Sequence, residues 1–294
     1  MKKRLTVAAV QMHASEDIEE NARKIVGYLK RLAKQGVEVA AFHEGILFGY
    51  CCRPAFWKRF DPARIEKAER QIVRTCKQHG IATVVGSVHE EEGTRFNSLL
   101  VVDRDGSVAG RYGKIHLAGE KWCGPSQHLP IFRLCGVDCC FLICHDVRYP
   151  ELVRLPAAAG AKICFFCSCE SPITSEYKLS AYRAMPIARA TENSIYVVMS
   201  NAPADPNDIN RAGSSHGESK FIHPDGNVLA EAGFFSEEAI VQELDLSAAS
   251  GSLARRAVED HTSLRDWLQE GLSIVERPAR PSNGRIKIRK TARA

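Results

Sequence analysis

The chain has 294 residues, 45% of them hydrophobic, and 40 Lys and Arg against 35 Asp and Glu give a formal net charge of +5. That length can bury a large core in one domain, and no run approaches the ~18 consecutive apolar residues of a membrane span. From Arg277 onward there are seven basic residues and no acid, so the rest carries 33 basic against 35 acidic residues, a balance of −2, and neither a nucleic-acid nor a membrane partner is expected.

In chain order, Met1-Lys2-Lys3-Arg4 leads into an apolar run too short for a secretory leader, and Leu5–Met12 reads as a strand. Ile18–Ala33, with Ile25, Leu29 and Leu32 on one face, is an amphipathic helix capped near Ser15 or Asp17. A strand over Val37–Phe42 runs into the polar residues His43 and Glu44, where Gly45 permits a tight turn. Pro62–His79 repeats the helical pattern and stops at Gly80, and Ala82–Val88 returns to strand. From Phe96 to Cys144 the chain reads mainly as β structure: two strands about the turn Asp103-Arg104-Asp105-Gly106, then Ile131–Cys144. Within the alternating stretch Val108–Leu117 stands Lys114, poorly suited to a strand interior unless its amine has a carboxylate partner. Helices over Glu151–Ala159 and Ser175–Glu192, strands over Ile163–Cys167 and Ile195–Ser200, and short strands about Asp225-Gly226 complete a unit of alternating strands and helices, 1–246. The segment 247–294 differs: a helix over Ser252–Leu272 carrying Trp267, then a basic, proline-containing tail over Pro278–Ala294, read as a solvated extension.

The apolar strand Phe141-Leu142-Ile143 ends in Cys144, and His145-Asp146-Val147-Arg148-Tyr149-Pro150-Glu151 follow at once. Strand carboxyl ends are where open α/β sheets bind ligands, so Cys144 is a candidate nucleophile as well as a candidate buried structural thiol. His145 is adjacent on an extended segment and points away from it, which disfavours a Cys-His dyad; His116 and His216 remain the other imidazoles to weigh. The C-x2-C-x-C cluster of Cys164, Cys167 and Cys169 overlaps an apolar strand whose alternate residues face opposite sides, so no zinc site is expected. Eleven cysteines, an odd number, suggest reduced thiols and a cytoplasmic protein rather than a disulfide framework.

Taken together, Phe42-His43-Glu44 with Gly49-Tyr50, Lys114-Ile115-His116-Leu117, and Cys144-His145-Asp146-Val147-Arg148-Tyr149-Pro150-Glu151 resemble, in order and spacing, the three signatures of the nitrilase superfamily of carbon–nitrogen hydrolases. Arg189–Val197 and Gly217–Gly226 resemble its later segments, so the likeness runs from about residue 4 to about 246. It implies a four-layer αββα sandwich, no cofactor, a homodimer or higher oligomer paired through the helices after Cys144, and a Glu44, Lys114 and Cys144 triad. Glu44 would be the base, Lys114 with the His145 backbone N–H the oxyanion donors, Glu120 a second glutamate, and Tyr50 a pocket residue. The stretch around Gly124-Pro125 departs from the family order. Nitrilases of the family carry Trp-Glu after the nucleophile where this chain has His145-Asp146, so a small amide or N-carbamoyl substrate is expected, with a nitrilase acting on a nitrile or a catalytically silent binding or assembly member as the alternatives. Arg148 is read either as a contact to a substrate carboxylate or as a structural ion-pair residue.

Overall fold

The computed structural model describes residues 2–170, 176–211, 213–261 and 263–277. The first half runs β1 (Arg4–Gln11), α1 (Ile18–Lys34), β2 (Val39–Phe42), α2 (Pro54–Lys58), α3 (Pro62–His79), β3 (Ala82–Glu91), β4 (Thr94–Val102), β5 (Val108–Gly113), β6 (Leu129–Pro130), β7 (Phe132–Leu134) and β8 (Val137–Ile143). A 3-10 turn over Cys144–Arg148 follows, then α4 (Glu151–Ala158), β9 (Ile163–Ser168), α5 (Glu176–Thr191), β10 (Tyr196–Asn201), β11 (Lys220–Ile222), β12 (Val228–Glu231), β13 (Glu238–Asp245), α6 (Ser252–Glu259), α7 (Arg265–Leu272) and β14 (Val275–Glu276).

Local chemistry sets the helix ends. The Asp17 carboxylate accepts the backbone N–H groups of Glu19 and Glu20, capping α1, while Asp61 and Pro62 start α3 and Gly80 ends it in the left-handed conformation at φ 65°. The strands form two six-stranded sheets in the orders β13-β1-β2-β3-β4-β5 and β12-β11-β10-β9-β8-β7. Each has a parallel centre, with Val7 opposite Val39 and Ala41 opposite Val84 in the first, and Phe141 opposite Phe165 and Val198 opposite Phe165 in the second.

Side-chain alternation along β1 defines the layers. Leu5, Val7 and Ala9 join Phe141, Ile143, Phe165 and Val198 in a core between the sheets, whereas Ala8 and Val10 join Ile25, Leu29 and Ile72 in a second core beneath α1 and α3. On the far side α4 packs against β8 and α5 against β10, so the order is helices, sheet, sheet, helices. Strands buried on both faces explain the near-continuous apolar runs in β8 and β9.

Three expectations need correction. Ile131–Cys144 is not one strand: Cys135 and Gly136, both at positive φ, turn it into a hairpin of β7 and β8. Ser252–Leu272 is two helices, and Trp267 on the second is 56% exposed. Lys114 lies just past the end of β5, not inside it. Ser175, placed at the start of a helix by pattern, and the basic tail from residue 278 lie outside the described residues. Ala249, Ala254, Val258 and Leu268 join the core shared by β8 and β9, and β14 pairs with β6, so these described elements after 246 pack against the sandwich. Among the described residues no helix is long and apolar enough to cross a membrane.

Candidate active site

Glu44 stands two residues past β2, and its placement depends on the neighbouring strand. A Cβ on Gly86 of β3 would lie 2.2 Å from the His43 carbonyl oxygen, 2.4 Å from the Gly45 nitrogen and 2.8 Å from the Glu44 carbonyl carbon, so only glycine lets the two backbones approach. The Glu44 carboxylate is fully buried. Its Oε1 accepts from Asn97 Nδ2 at 2.7 Å and Lys114 Nζ at 2.8 Å, and its Oε2 accepts from the Cys169 backbone N–H at 3.0 Å. Lys114 also donates to Glu120, which accepts the Tyr50 hydroxyl at 3.0 Å. The Lys114 backbone is itself held on both sides, donating to the Asn97 carbonyl and accepting from the Ser126 N–H, each at 2.8 Å.

Cys144 ends β8 and begins the 3-10 turn with φ 46°, a left-handed conformation that costs a non-glycine residue about 1–2 kcal/mol. The turn is pinned by Asp146, whose buried carboxylate accepts the Ile143 N–H at 3.2 Å, the His116 N–H at 2.8 Å and the Tyr112 hydroxyl at 2.9 Å. The first N–H groups of such a turn have no partner inside it, and the amide of His145 is one of them. Cys144, His145, Arg148, Tyr50, Tyr182 and Glu170 line a cavity of about 420 Å³.

Burial pushes the Cys144 thiol well above its usual range, reinforced by the Glu44 charge and opposed by Lys114, so no standing thiolate is held there. Burial likewise raises Glu44, against the pull of Lys114. Burial works against the Lys114 ammonium, but Glu44, Cys144 and Glu120 outweigh it and hold it well above the usual lysine range. Glu120 ends below its usual value because Lys114 overcomes its burial. The arrangement is thus a neutral thiol, a permanent ammonium and two carboxylates that share it, all out of water.

The structure joins Glu44, Lys114, Glu120 and Tyr50 in one hydrogen-bond network and puts Cys144, His145 and Arg148 with Tyr50 on one cavity wall. The His145 ring stands edge-on to Tyr149, and Arg148 lies over the Tyr182 ring at 5.5 Å and forms no ion pair with a described residue. His116 stacks on Tyr149 and His216 lies 3.4 Å from Glu170 Oε2. Cys164, Cys167 and Cys169 are buried free thiols, and among the described residues no three His, Cys, Asp or Glu side chains gather as a metal site.

Four contributors went unread in the sequence. Asn97 had a weak signal, an amide beside Phe96 in a strand that runs on into Leu99-Leu100-Val101-Val102, and Glu170 had a clearer one, an acid two residues past the apolar β9. Asp146 lay inside a motif already singled out. Gly86 in β3 carried only the general hint that glycine in a strand marks a close approach.

A model of the carbon–nitrogen hydrolase family matches residues 6–251. A 2-oxoglutaramate amidase of Bacillus subtilis is 33% identical over 189 residues, covering 62% of this chain and 69% of that protein. The omega-amidase NIT2 of Homo sapiens is 25% identical over 258 residues, covering 82% and 88%. Among solved structures, an amidase of Nesterenkonia AN1 from the nitrilase superfamily superposes with a TM-score of 0.77 at 24% identity, covering 91% of this chain and 98% of that one.

Proposed function

This chain belongs to the carbon–nitrogen hydrolase family, within the nitrilase superfamily, and is a hydrolase of C–N bonds, from which we propose that it cleaves a small-molecule amide or N-carbamoyl compound through a thioester on Cys144. The observation that carries this reading is the buried network of Glu44, Lys114 and Glu120 set beside a strained cysteine on a cavity wall.

Because the thiol is held neutral, its proton must leave as the sulfur attacks. The Glu44 carboxylate accepts it, and an elevated carboxylate pKa suits that base better than an ordinary one. The S–C bond forms, and the carbonyl oxygen takes the negative charge opposite the Lys114 ammonium and the His145 N–H. When the tetrahedral adduct collapses, the C–N bond breaks and the departing nitrogen takes the proton from Glu44. Water then gives a proton to Glu44 and attacks the thioester, and the acid product leaves as the proton returns to sulfur. Glu120 keeps Lys114 oriented through both halves, Tyr50 closes the pocket above it, and Arg148 offers the substrate a cationic contact at the mouth. The amidase relatives favour an amide over a nitrile.

Incubating the protein with a panel of amides, ureido acids and nitriles, with ammonia release and intact mass as readouts, tests this. Expected are ammonia from an amide or ureido compound and an acyl adduct on the peptide holding Cys144. Ammonia release surviving in folded Cys144→Ala would sink the assignment. The hydrolase unit in this reading is 1–246 with 247–294 as an extension, paired as a homodimer through α4 and α5; a monomer by light scattering would remove the pairing.

A further inference from the structure

Glu170 stands two residues past β9, and its side chain is fully buried in the wall of the cavity that Cys144 also lines. Neither of its carboxylate oxygens has a hydrogen-bond partner among the described residues. The neighbours that could satisfy it do not. Among the described residues Ser168 Oγ is the polar neighbour that most eases the burial of the carboxyl but closes no hydrogen bond of good geometry, His216 Nε2 stays 3.4 Å from Oε2, Lys220 is engaged by Glu231, and Arg148 forms no ion pair. A buried carboxyl left this way is costly, and native interiors rarely tolerate one without a reason. Burial drives the group well above its usual value, so in the free protein it is a neutral acid facing the cavity.

We propose that Glu170 is a specificity-determining residue that receives a primary amine on the substrate, so that the amide cleaved at Cys144 carries a short aminoalkyl arm. A carboxylate only accepts, with two oxygens and about four lone-pair sites, and an ammonium presents three donors and a full complementary charge. A neutral acid meeting a free amine becomes a carboxylate–ammonium pair by moving one proton between them, with no net exchange with solvent; an incoming ammonium releases the acid's proton to water. The cavity's 420 Å³ limits the arm to a few carbons. A substrate that merely accepted hydrogen bonds would be served by a serine or an amide there, at far smaller cost of burial. Arg148 at the mouth remains available to a second, anionic end of the same molecule.

The inference rests on this cavity being the substrate pocket, so its test includes a readout that needs no turnover. Cys144 is labelled with aminoethyl, methyl and sulfonatoethyl methanethiosulfonates, in wild type, Glu170→Gln and Glu170→Asp, with peptide mass mapping to separate it from other thiols. Glutamine is the neutral isostere of the protonated acid, so the fold is kept. Expected is a preference for the aminoethyl over the methyl reagent that falls about tenfold in Glu170→Gln, the change of one charge-assisted hydrogen bond, and is partly restored in Glu170→Asp. In turnover, KM for γ-aminobutyramide should rise in Glu170→Gln while KM for its isostere valeramide stays put and kcat changes little. A labelling preference unchanged by Glu170→Gln, or rate losses equal for all three reagents, overturns the inference. Charge-selective labelling without cleavage of any amide upholds the Glu170 site and overturns the amidase reading instead.

Discussion

The close approach at Gly86 makes an indirect but sharp test of Glu44. In Gly86→Ala the new methyl would begin 2.2 Å from the His43 carbonyl oxygen, and 2.8 Å from the Glu44 carbonyl carbon, against the 3.4 Å at which ordinary contact starts. The obstacle is backbone, not the tip of a flexible side chain, so the segment carrying Glu44 must retreat by about 1 Å in an interior packed without slack. Overpacking of this kind costs about 1–3 kcal/mol of stability. A displacement of about 1 Å at a catalytic base costs on the order of 10²-fold in rate, so kcat/KM should fall by about that factor in protein that remains folded. Steady-state ammonia release on the best amide, beside urea unfolding, measures both quantities. Gly27→Ala is the control, because nothing lies within 4 Å of a Cβ there and the residue sits exposed within α1: stability should rise by about 0.5–1 kcal/mol with activity unchanged. If Gly86→Ala loses stability yet keeps kcat/KM within about threefold of wild type, Glu44 does not need its position and is not the base.

Lys114→Gln should lower kcat by about 10²–10³, and the loss of the cation shared by two buried carboxylates should cost on the order of 3–5 kcal/mol in urea unfolding; a rate loss under about tenfold would contradict an oxyanion role. Cys144→Gly and Cys144→Ala should both be inactive, but the glycine variant should be the more stable by about 1 kcal/mol because it accepts φ 46° freely, and equal melting temperatures would show that the turn stores no strain. Glu170 sits among Glu44, Lys220, Arg148, Cys144 and His216, and its raised pKa contributes stability present in full below the ordinary 4.5 and lost as pH rises toward the folded value. Glu170→Gln should therefore gain on wild type as pH rises above that point, and a stability difference independent of pH would mean that the carboxyl is not held neutral.

Most of the frame was legible because it is written in local chemistry. Asp61-Pro62 and Gly80 bound α3 by mechanisms that need no tertiary context, and the apolar runs of β8 and β9 state their own burial. What failed depended on backbone geometry or distant partners. The hairpin at Cys135 and Gly136 hides in an apolar run because Cys135, a poor candidate by residue type, takes φ 50°. Ser252–Leu272 keeps a helical pattern across its break, and nothing in the spacing says that the chain folds α7 back onto α4. At the site, Lys114 announced that it needed a carboxylate but not which ones. Glu44 and Glu120 lie 70 and 6 residues away, and only the assembly of the first sheet, which holds both β2 and β5, brings Glu44 to the ammonium that Glu120 shares.

One rule nevertheless accounts for the site, including the part that was missed. Glu44 follows β2, Cys144 follows β8 and Glu170 follows β9: each is a polar residue at the carboxyl end of a parallel strand, where the apolar run stops and the next segment turns away. β2 belongs to one sheet and β8 and β9 to the other, so stacking the sheets face to face brings a base and a nucleophile from opposite layers to the same rim, and the Cys169 N–H, one residue past β9, closes the gap by donating to Glu44. Applied to every parallel strand rather than only to those carrying familiar motifs, the same reading singles out Glu170 from the sequence alone. The difference between the three acids and thiols is then their company. Glu44 has three donors and Cys144 a strained turn that presents it, whereas Glu170 has no hydrogen-bond donor among the described residues and no strained backbone, which is the condition expected of a group whose partner arrives with the substrate.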